Sequence, residues 1–195
     1  RNILFIVNAT QGFPIFPIDV ERMHIDAMSA SLHKWGMAGL VGAVFYTSEK
    51  FRKKFPTPIA GWLSVHPDKG DFIYTEKNGH PEIYDSAAQF DIGSSNLQGI
   101  SSFDAAFEYM SSIGFDKMRE RIFSLSDILI EGLSKIPVEI VSPIASFDER
   151  SASTSFSIGE KSRELASHLN DRKIFVSYRG GNIRVAINIF NNEED

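Results

Sequence analysis

Cysteine is absent from all 195 residues. Disulfides, zinc–thiolate sites and thiol nucleophiles are therefore not chemistry this chain can supply. Long apolar runs are also missing. None approaches the roughly 20 residues that a helix needs to cross a bilayer, so no membrane partner is expected. The run from Ile3 to Val7 behind Arg1 is too short for a secretory leader and is followed by polar residues, which makes a cytoplasmic location the expectation. Positive charge is in deficit. With 20 Lys and Arg against 25 Asp and Glu the net charge is −5, so no nucleic-acid partner is expected. The one basic cluster, Arg52-Lys53-Lys54, reads as a solvated helix end. An initiating methionine is lacking, and the closing Asn191-Asn192-Glu193-Glu194-Asp195 reads as the first turn of a helix, so the chain is expected to be a fragment.

What is present describes a globular protein with a sizeable core: 43% of residues are hydrophobic, with 14 Gly and 8 Pro. Ile3 to Val7 is apolar without alternation, the pattern of a strand buried on both faces of a parallel sheet. It ends at Asn8-Ala9-Thr10-Gln11-Gly12, and ligand crevices in open α/β sheets lie beyond the carboxyl ends of strands. Strands are expected over Ile25–Ala30 and Val41–Tyr46, then a short polar helix over Ser48–Phe55, stopped by Pro56 and Pro58. Gly61 to Ser95 is irregular, with turn signals at Pro67-Asp68-Lys69-Gly70 and Asn78-Gly79. Ile100, Phe103, Phe107 and Met110 recur at helical spacing up to Gly114, and Phe115 to Leu133 forms a second, longer amphipathic pattern ended by Pro137. Beyond it the period changes. Strands are expected at Val138–Val141, Ser153–Ile158, Ile174–Tyr178 and Ile183–Ile187, with a helix over Lys161–Asn170. That mixture defines a small α+β domain over residues 114–195, after a first domain over residues 1–113.

The stretch from Asp26 to Gly42 carries the chemistry. Ser31-Leu32-His33-Lys34 lies between the second and third strands. A lysine buried there would be desolvated, which disfavours the ammonium form and exposes a nucleophilic amine. The Ser31 hydroxyl and His33 imidazole can bind an anion beside it. This is the chemistry of a lysine joined in an aldimine to an aldehyde cofactor that also carries a phosphate. His24, His66, His80 and His168 have no metal-ligand spacing, so no metal is expected.

Four ordered segments resemble the class V aminotransferases, a pyridoxal-phosphate-dependent family that includes cysteine desulfurases and isopenicillin-N-epimerase-like proteins. Val7-Asn8-Ala9-Thr10-Gln11-Gly12 is similar to the family's V-D-x-x-Q-x segment. Ser31-Leu32-His33-Lys34-Trp35 is similar to its lysine loop. Gln89-Phe90-Asp91-Ile92-Gly93-Ser94-Ser95-Asn96 resembles R-F-E-x-G-T-x-N. Ile183-Arg184-Val185-Ala186 with Phe190 to Asp195 resembles the R-V-S…Y-N-T-x-E-D ending. The resemblance covers the carboxyl-terminal half of such a protein. It implies part of the large mixed-sheet domain of the aspartate-aminotransferase-like fold, followed by the small α+β domain.

The same resemblance implies roles. Lys34 would form the aldimine with pyridoxal 5'-phosphate and move the proton at the substrate α-carbon. Ser31 and His33 would hold the cofactor phosphate, and Gln11 its phenolic oxygen. Asn8 would face the pyridine nitrogen. Ser94 would reach the phosphate of the other subunit of a homodimer. Arg184, helped by Arg179, would bind the carboxylate of an amino-acid substrate. The implied function is a pyridoxal-phosphate enzyme of amino-acid metabolism acting as aminotransferase, lyase or epimerase.

Departures matter as much. Asn8 stands where the family has an aspartate that keeps the ring nitrogen protonated, so the alternative is a non-catalytic homologue that binds cofactor or a partner. Gln89 replaces an arginine, and Leu32 a small residue. The loop Arg179-Gly180-Gly181-Asn182 is short and carries no cysteine, which resembles the epimerase, lyase and kynureninase branches.

Overall fold

The computed structural model describes residues 3–66, 76–77 and 80–195. The turn signals at Pro67–Gly70 and Asn78-Gly79 lie outside the described residues. Two compact units divide the chain, Arg1–Ser112 and Ile113–Asp195.

The first unit is built on three strands, β1 (Ile6–Asn8), β2 (Ala27–Ser31) and β3 (Ala43–Thr47), in the order β1-β2-β3. β1 runs parallel to β2, with Asn8 opposite Ser29, and β3 runs antiparallel to β2, with Ser29 opposite Phe45. Side chains alternate between the two faces of a strand. Met28 and Ala30 of β2 therefore share a face, where they pack with Ala9 and Ile25 and with the partly buried Val7, Phe13, Ile18, Val20 and Tyr46. The opposite face carries Asn8, Ser29 and Phe45, all exposed. Expected burial of the first strand on both faces is thus corrected. β1 begins three residues later, sits at the sheet edge, and leaves Ile3, Phe5 and Ile6 67%, 53% and 62% exposed.

Asp26, just before β2, is buried and tied down. Its Oδ2 accepts the Phe5 N–H at 2.9 Å, and Lys50 Nζ lies 3.0 Å from Oδ1. The Phe5 N–H and then the Lys50 ammonium hold this carboxyl below its ordinary titration range. Helix α1 (Glu49–Lys54) supplies Lys50 and starts where the Ser48 hydroxyl accepts the Phe51 N–H at 3.1 Å. Its basic cluster is committed internally: Arg52 donates to the Thr47 and Asp85 carbonyls, and Lys53 pairs with Glu49.

Within the irregular stretch, β4 (Glu76–Lys77) pairs with β5 (His80–Pro81), and Ala87–Phe90 forms a short 3-10 turn. Gln89 is buried there and its Oε1 accepts the Thr57 N–H at 2.9 Å. Two helices follow, α2 (Leu97–Ile113) and α3 (Phe115–Ser134). Gly114 separates them with φ of 95°, a conformation that side chains resist and glycine adopts freely.

The second unit is a four-stranded antiparallel sheet in the order β6-β7-β9-β8, formed by β6 (Glu139–Ile140), β7 (Ser153–Ser157), β8 (Ser177–Arg179) and β9 (Asn182–Ala186). Helix α4 (Ser162–Asp171) and the end of α3 cover one face through Ala166, Leu165, Leu133 and Leu129 against Phe156, Ile183 and Val185. The strand expected from Ile174 begins only at Ser177. Lys173 adopts φ of 68°, the Ile174 N–H returns to the Leu169 carbonyl at 2.9 Å, and the Val176 N–H is taken by Asn170 Oδ1 at 3.0 Å. Residues 174 to 176 thus finish the helix instead of joining a ladder. Asn191 to Asp195 form turns instead of a helix, and Glu193 pairs with Arg121 of α3. That guanidinium pulls the Glu193 carboxyl down to about 2.

Candidate active site

Where two parallel strands end side by side, unpaired backbone groups and polar side chains converge. β1 and β2 end in this way. The Ala9 N–H donates to the Ser29 carbonyl at 2.8 Å, and the Ser31 N–H donates to the Thr10 hydroxyl oxygen at 3.0 Å. The Thr10 N–H in turn donates to Asn8 Oδ1 at 3.1 Å. Asn8, Thr10 and Ser31 are therefore one hydrogen-bonded unit. Thr10 was not singled out in the sequence. The available signal is that Thr and Asn beside a strand end close turns through their side chains.

Ser31 is half-buried and leads into the loop that carries His33 and Lys34, both exposed. Three apolar residues anchor this loop: Leu32, Trp35 and Ala38 are 6%, 6% and 7% exposed. The Leu32 N–H meets the Gly42 carbonyl at 3.1 Å, and the Ala38 N–H returns to the Leu32 carbonyl at 3.2 Å. A side chain at Gly36 would put its Cβ 2.8 Å from the Leu32 carbonyl oxygen, so only glycine fits that turn. The far end is held from the start of α2, where Asn96, the residue before the helix, donates from Nδ2 to the Val41 carbonyl at 2.9 Å and accepts the Gly99 N–H at Oδ1 at 3.0 Å. The expected burial of Lys34 between β2 and β3 is corrected. The lysine lies three residues beyond the end of β2, in the loop to β3, and is exposed.

Gln11 is exposed in the turn closed by Gly12 and Phe13 N–H groups on the Ala9 carbonyl, both at 2.9 Å. Ser94 is exposed two residues before Asn96. No described residue bonds the side chains of Gln11, Ser31, His33, Lys34 or Ser94. In the second unit, Arg184 of β9 lies opposite Ser155 and Ser177, and Arg179 of β8 lies opposite Asn182. The strand alternation puts both arginines on the face away from Ile183 and Phe156. Arg184 is half-buried, and its Nε has no partner among the described residues.

An amine, a hydroxyl and an imidazole stand close together in the chain just beyond the carboxyl end of β2, beside the parallel β1, and are donors of the kind an anionic ligand of an α/β protein needs. The chain belongs to the class-V aminotransferase family, which matches residues 1–191. A probable cysteine desulfurase of Ureaplasma parvum serovar 3 is 25% identical over 177 residues, covering 90% of this chain and 41% of that protein. The apo structure of a cysteine desulfurase from Thermococcus onnurineus NA1 superposes with a TM-score of 0.79 at 22% identity, over 98% of this chain and 49% of that one. A cystine C-S lyase variant solved with glycine covalently linked to its pyridoxal-phosphate cofactor superposes at 0.77 with 18% identity, over 94% of this chain and 47% of that one. The chain thus has the aspartate-aminotransferase-like fold and spans about two fifths of that curated relative's length.

Class-V aminotransferases depend on pyridoxal 5'-phosphate. The donor set fits that cofactor. A phosphate and a phenolate need N–H and O–H donors, and the first unit offers Ser31, His33, Gln11 and Lys34 with no carboxylate among them. Asp26 lies at the other end of β2 and is paired with Lys50.

Proposed function

We propose that this chain is part of a pyridoxal-phosphate-dependent enzyme of amino-acid metabolism, an aminotransferase, lyase or epimerase, in which Lys34 carries the cofactor. The observation that supports this reading is the linkage of Asn8, Thr10 and Ser31 at the carboxyl ends of β1 and β2, with Lys34 three residues further on an anchored loop. When bound, the cofactor supplies an electron-withdrawing ring for the electron pair left at the α-carbon of an amino acid.

The residues divide the remaining work. Lys34 Nζ holds the cofactor at its aldehyde carbon and moves the proton at the substrate α-carbon. The Ser31 hydroxyl and His33 bind the phosphate, while Gln11 donates to the phenolic oxygen and Asn8 meets the ring nitrogen. Arg184, aided by Arg179, grips the substrate carboxylate, for which a planar guanidinium offers two parallel donors. Ser94 contributes to the phosphate site of a second subunit, in a cytoplasmic homodimer. The 195 residues contain no thiol, so a persulfide-forming reaction has no nucleophile within them.

Asn8 favours a second reading, a homologue that binds the cofactor without turning over amino acids. Absorbance of the full-length protein separates the two. A Lys34-linked cofactor absorbs in the violet, loses that band in Lys34→Ala, and changes its spectrum with added amino acids if the protein is an enzyme. A Lys34-dependent band that no amino acid alters supports the binder. A band that survives Lys34→Ala overturns the role of this lysine.

A further inference from the structure

The orientation of Asn8 is fixed by its neighbour. An amide side chain offers an oxygen that accepts and a nitrogen that donates, and the two can be told apart only by what surrounds them. Here the Thr10 N–H points at the group, 3.1 Å away, so the atom facing it is Oδ1. Reversing the amide would set one N–H against another. Thr10 is itself held, because its hydroxyl accepts the Ser31 N–H at 3.0 Å. The Thr10 N–H occupies one lone pair of Oδ1, while Nδ2 has no partner among the described residues and has both hydrogens to offer to a ligand on the exposed sheet face. β2 presents Ser29 opposite Asn8 on that face, and β3 presents Phe45 opposite Ser29. Among the described residues of the three strands, that face carries no carboxylate; Asp26 is engaged with Lys50 and the Phe5 N–H, and the titratable groups next in the chain are His33 and Lys34.

We propose that Asn8, set by the Thr10 N–H, selects the unprotonated form of the cofactor's pyridine nitrogen, with Thr10 as the positioning residue. This inference rests on the reading that the first unit holds pyridoxal phosphate. A donor requires a lone pair opposite it, and a protonated ring nitrogen has none. An aspartate at position 8 would instead present an acceptor and a negative charge, and would hold the nitrogen protonated.

The test uses full-length protein loaded with pyridoxal phosphate labelled with nitrogen-15 in the ring, after Lys34-dependent absorbance has shown that the cofactor is bound. The nitrogen chemical shift of the wild type should be that of an unprotonated pyridine from pH 6 to 8, and Asn8→Asp should move it to the protonated position. An analogue with carbon in place of the ring nitrogen should bind the wild type about tenfold more weakly than the natural cofactor, the worth of one neutral hydrogen bond. A protonated ring nitrogen in the wild type overturns the proposal whether or not the variant folds. Equal binding of the carbon analogue overturns it as well. Absence of any Lys34-dependent cofactor would instead defeat the reading beneath it.

Discussion

Gly99 is the residue through which α2 approaches the end of the Lys34 loop, and replacing it with alanine measures how close that approach is. A Cβ built there lies 2.6 Å from the Val41 carbonyl oxygen, 2.8 Å from Val41 Cβ and 2.8 Å from Asn96 Nδ2. Two of these three atoms are backbone or the first atom of a side chain, so they cannot swing aside. The third is the amide that donates to Val41, and displacing it forfeits a hydrogen bond worth about 1 kcal/mol. Alanine in place of glycine in a helix returns at most about 1 kcal/mol, which cancels that loss. What remains is the cost of forcing extra volume into a packed contact, about 1–3 kcal/mol. At roughly 2–4 °C per kcal/mol for a chain of this size, the melting temperature should fall by about 2–12 °C. Gly132→Ala is the control. It lies in α3 with nothing within 4 Å of its added Cβ, and should gain about 0.5–1 kcal/mol. A thermal melt in which Gly99→Ala is as stable as the wild type, while Gly132→Ala behaves as stated, would refute the close contact.

Two further substitutions probe the strand ends. Thr10→Val removes the acceptor of a part-buried N–H and should cost about 1–3 kcal/mol in urea unfolding, with faster hydrogen exchange at the Ser31 amide and rescue by Thr10→Ser. Unchanged exchange at Ser31 would mean that the hydroxyl does not hold it. Asp26→Asn tests the other end of β2 by its pH dependence. The folded state lowers the Asp26 carboxyl, so its contribution is complete above the ordinary carboxyl range near pH 4 and is lost as pH falls through the lowered folded value. The variant should be less stable at neutral pH and its stability should vary less with pH below about 4. Parallel acid-unfolding curves for variant and wild type would contradict this.

The two long helices were legible because Phe103, Phe107 and Met110, then Met118, Ile122, Leu125 and Leu133, repeat at the helical period, and because Gly114 takes a backbone conformation suited to glycine. The short helix after Ser48 was legible from its polar run and from the stop that Pro56 and Pro58 impose. Strand limits were not. The apolar run of Ile3 to Val7 records what those side chains can bury, whereas their exposure depends on what lies over a sheet edge. β8 starts late because Asn170 captures the Val176 N–H, a side-chain event with no periodic trace. At the site, Asn8, Ser31 and Lys34 could be picked from motif order, but Thr10 could not. Its role is a hydrogen bond between residues 21 apart in the chain, visible only once β1 and β2 lie side by side.

The anchoring of the Lys34 loop separates two duties that proteins often combine in one residue. Leu32, Trp35 and Ala38 are buried and fix the backbone, while His33 and Lys34 between them are exposed. A ligand arriving there restricts side chains alone, at about 0.5–1.5 kcal/mol for each long one, because the path of the main chain is already set. The converse is useful as well. Replacing an exposed loop residue changes stability little, so variants at positions 33 and 34 isolate chemistry from folding, and these positions can diverge in evolution without the strands beside them having to change.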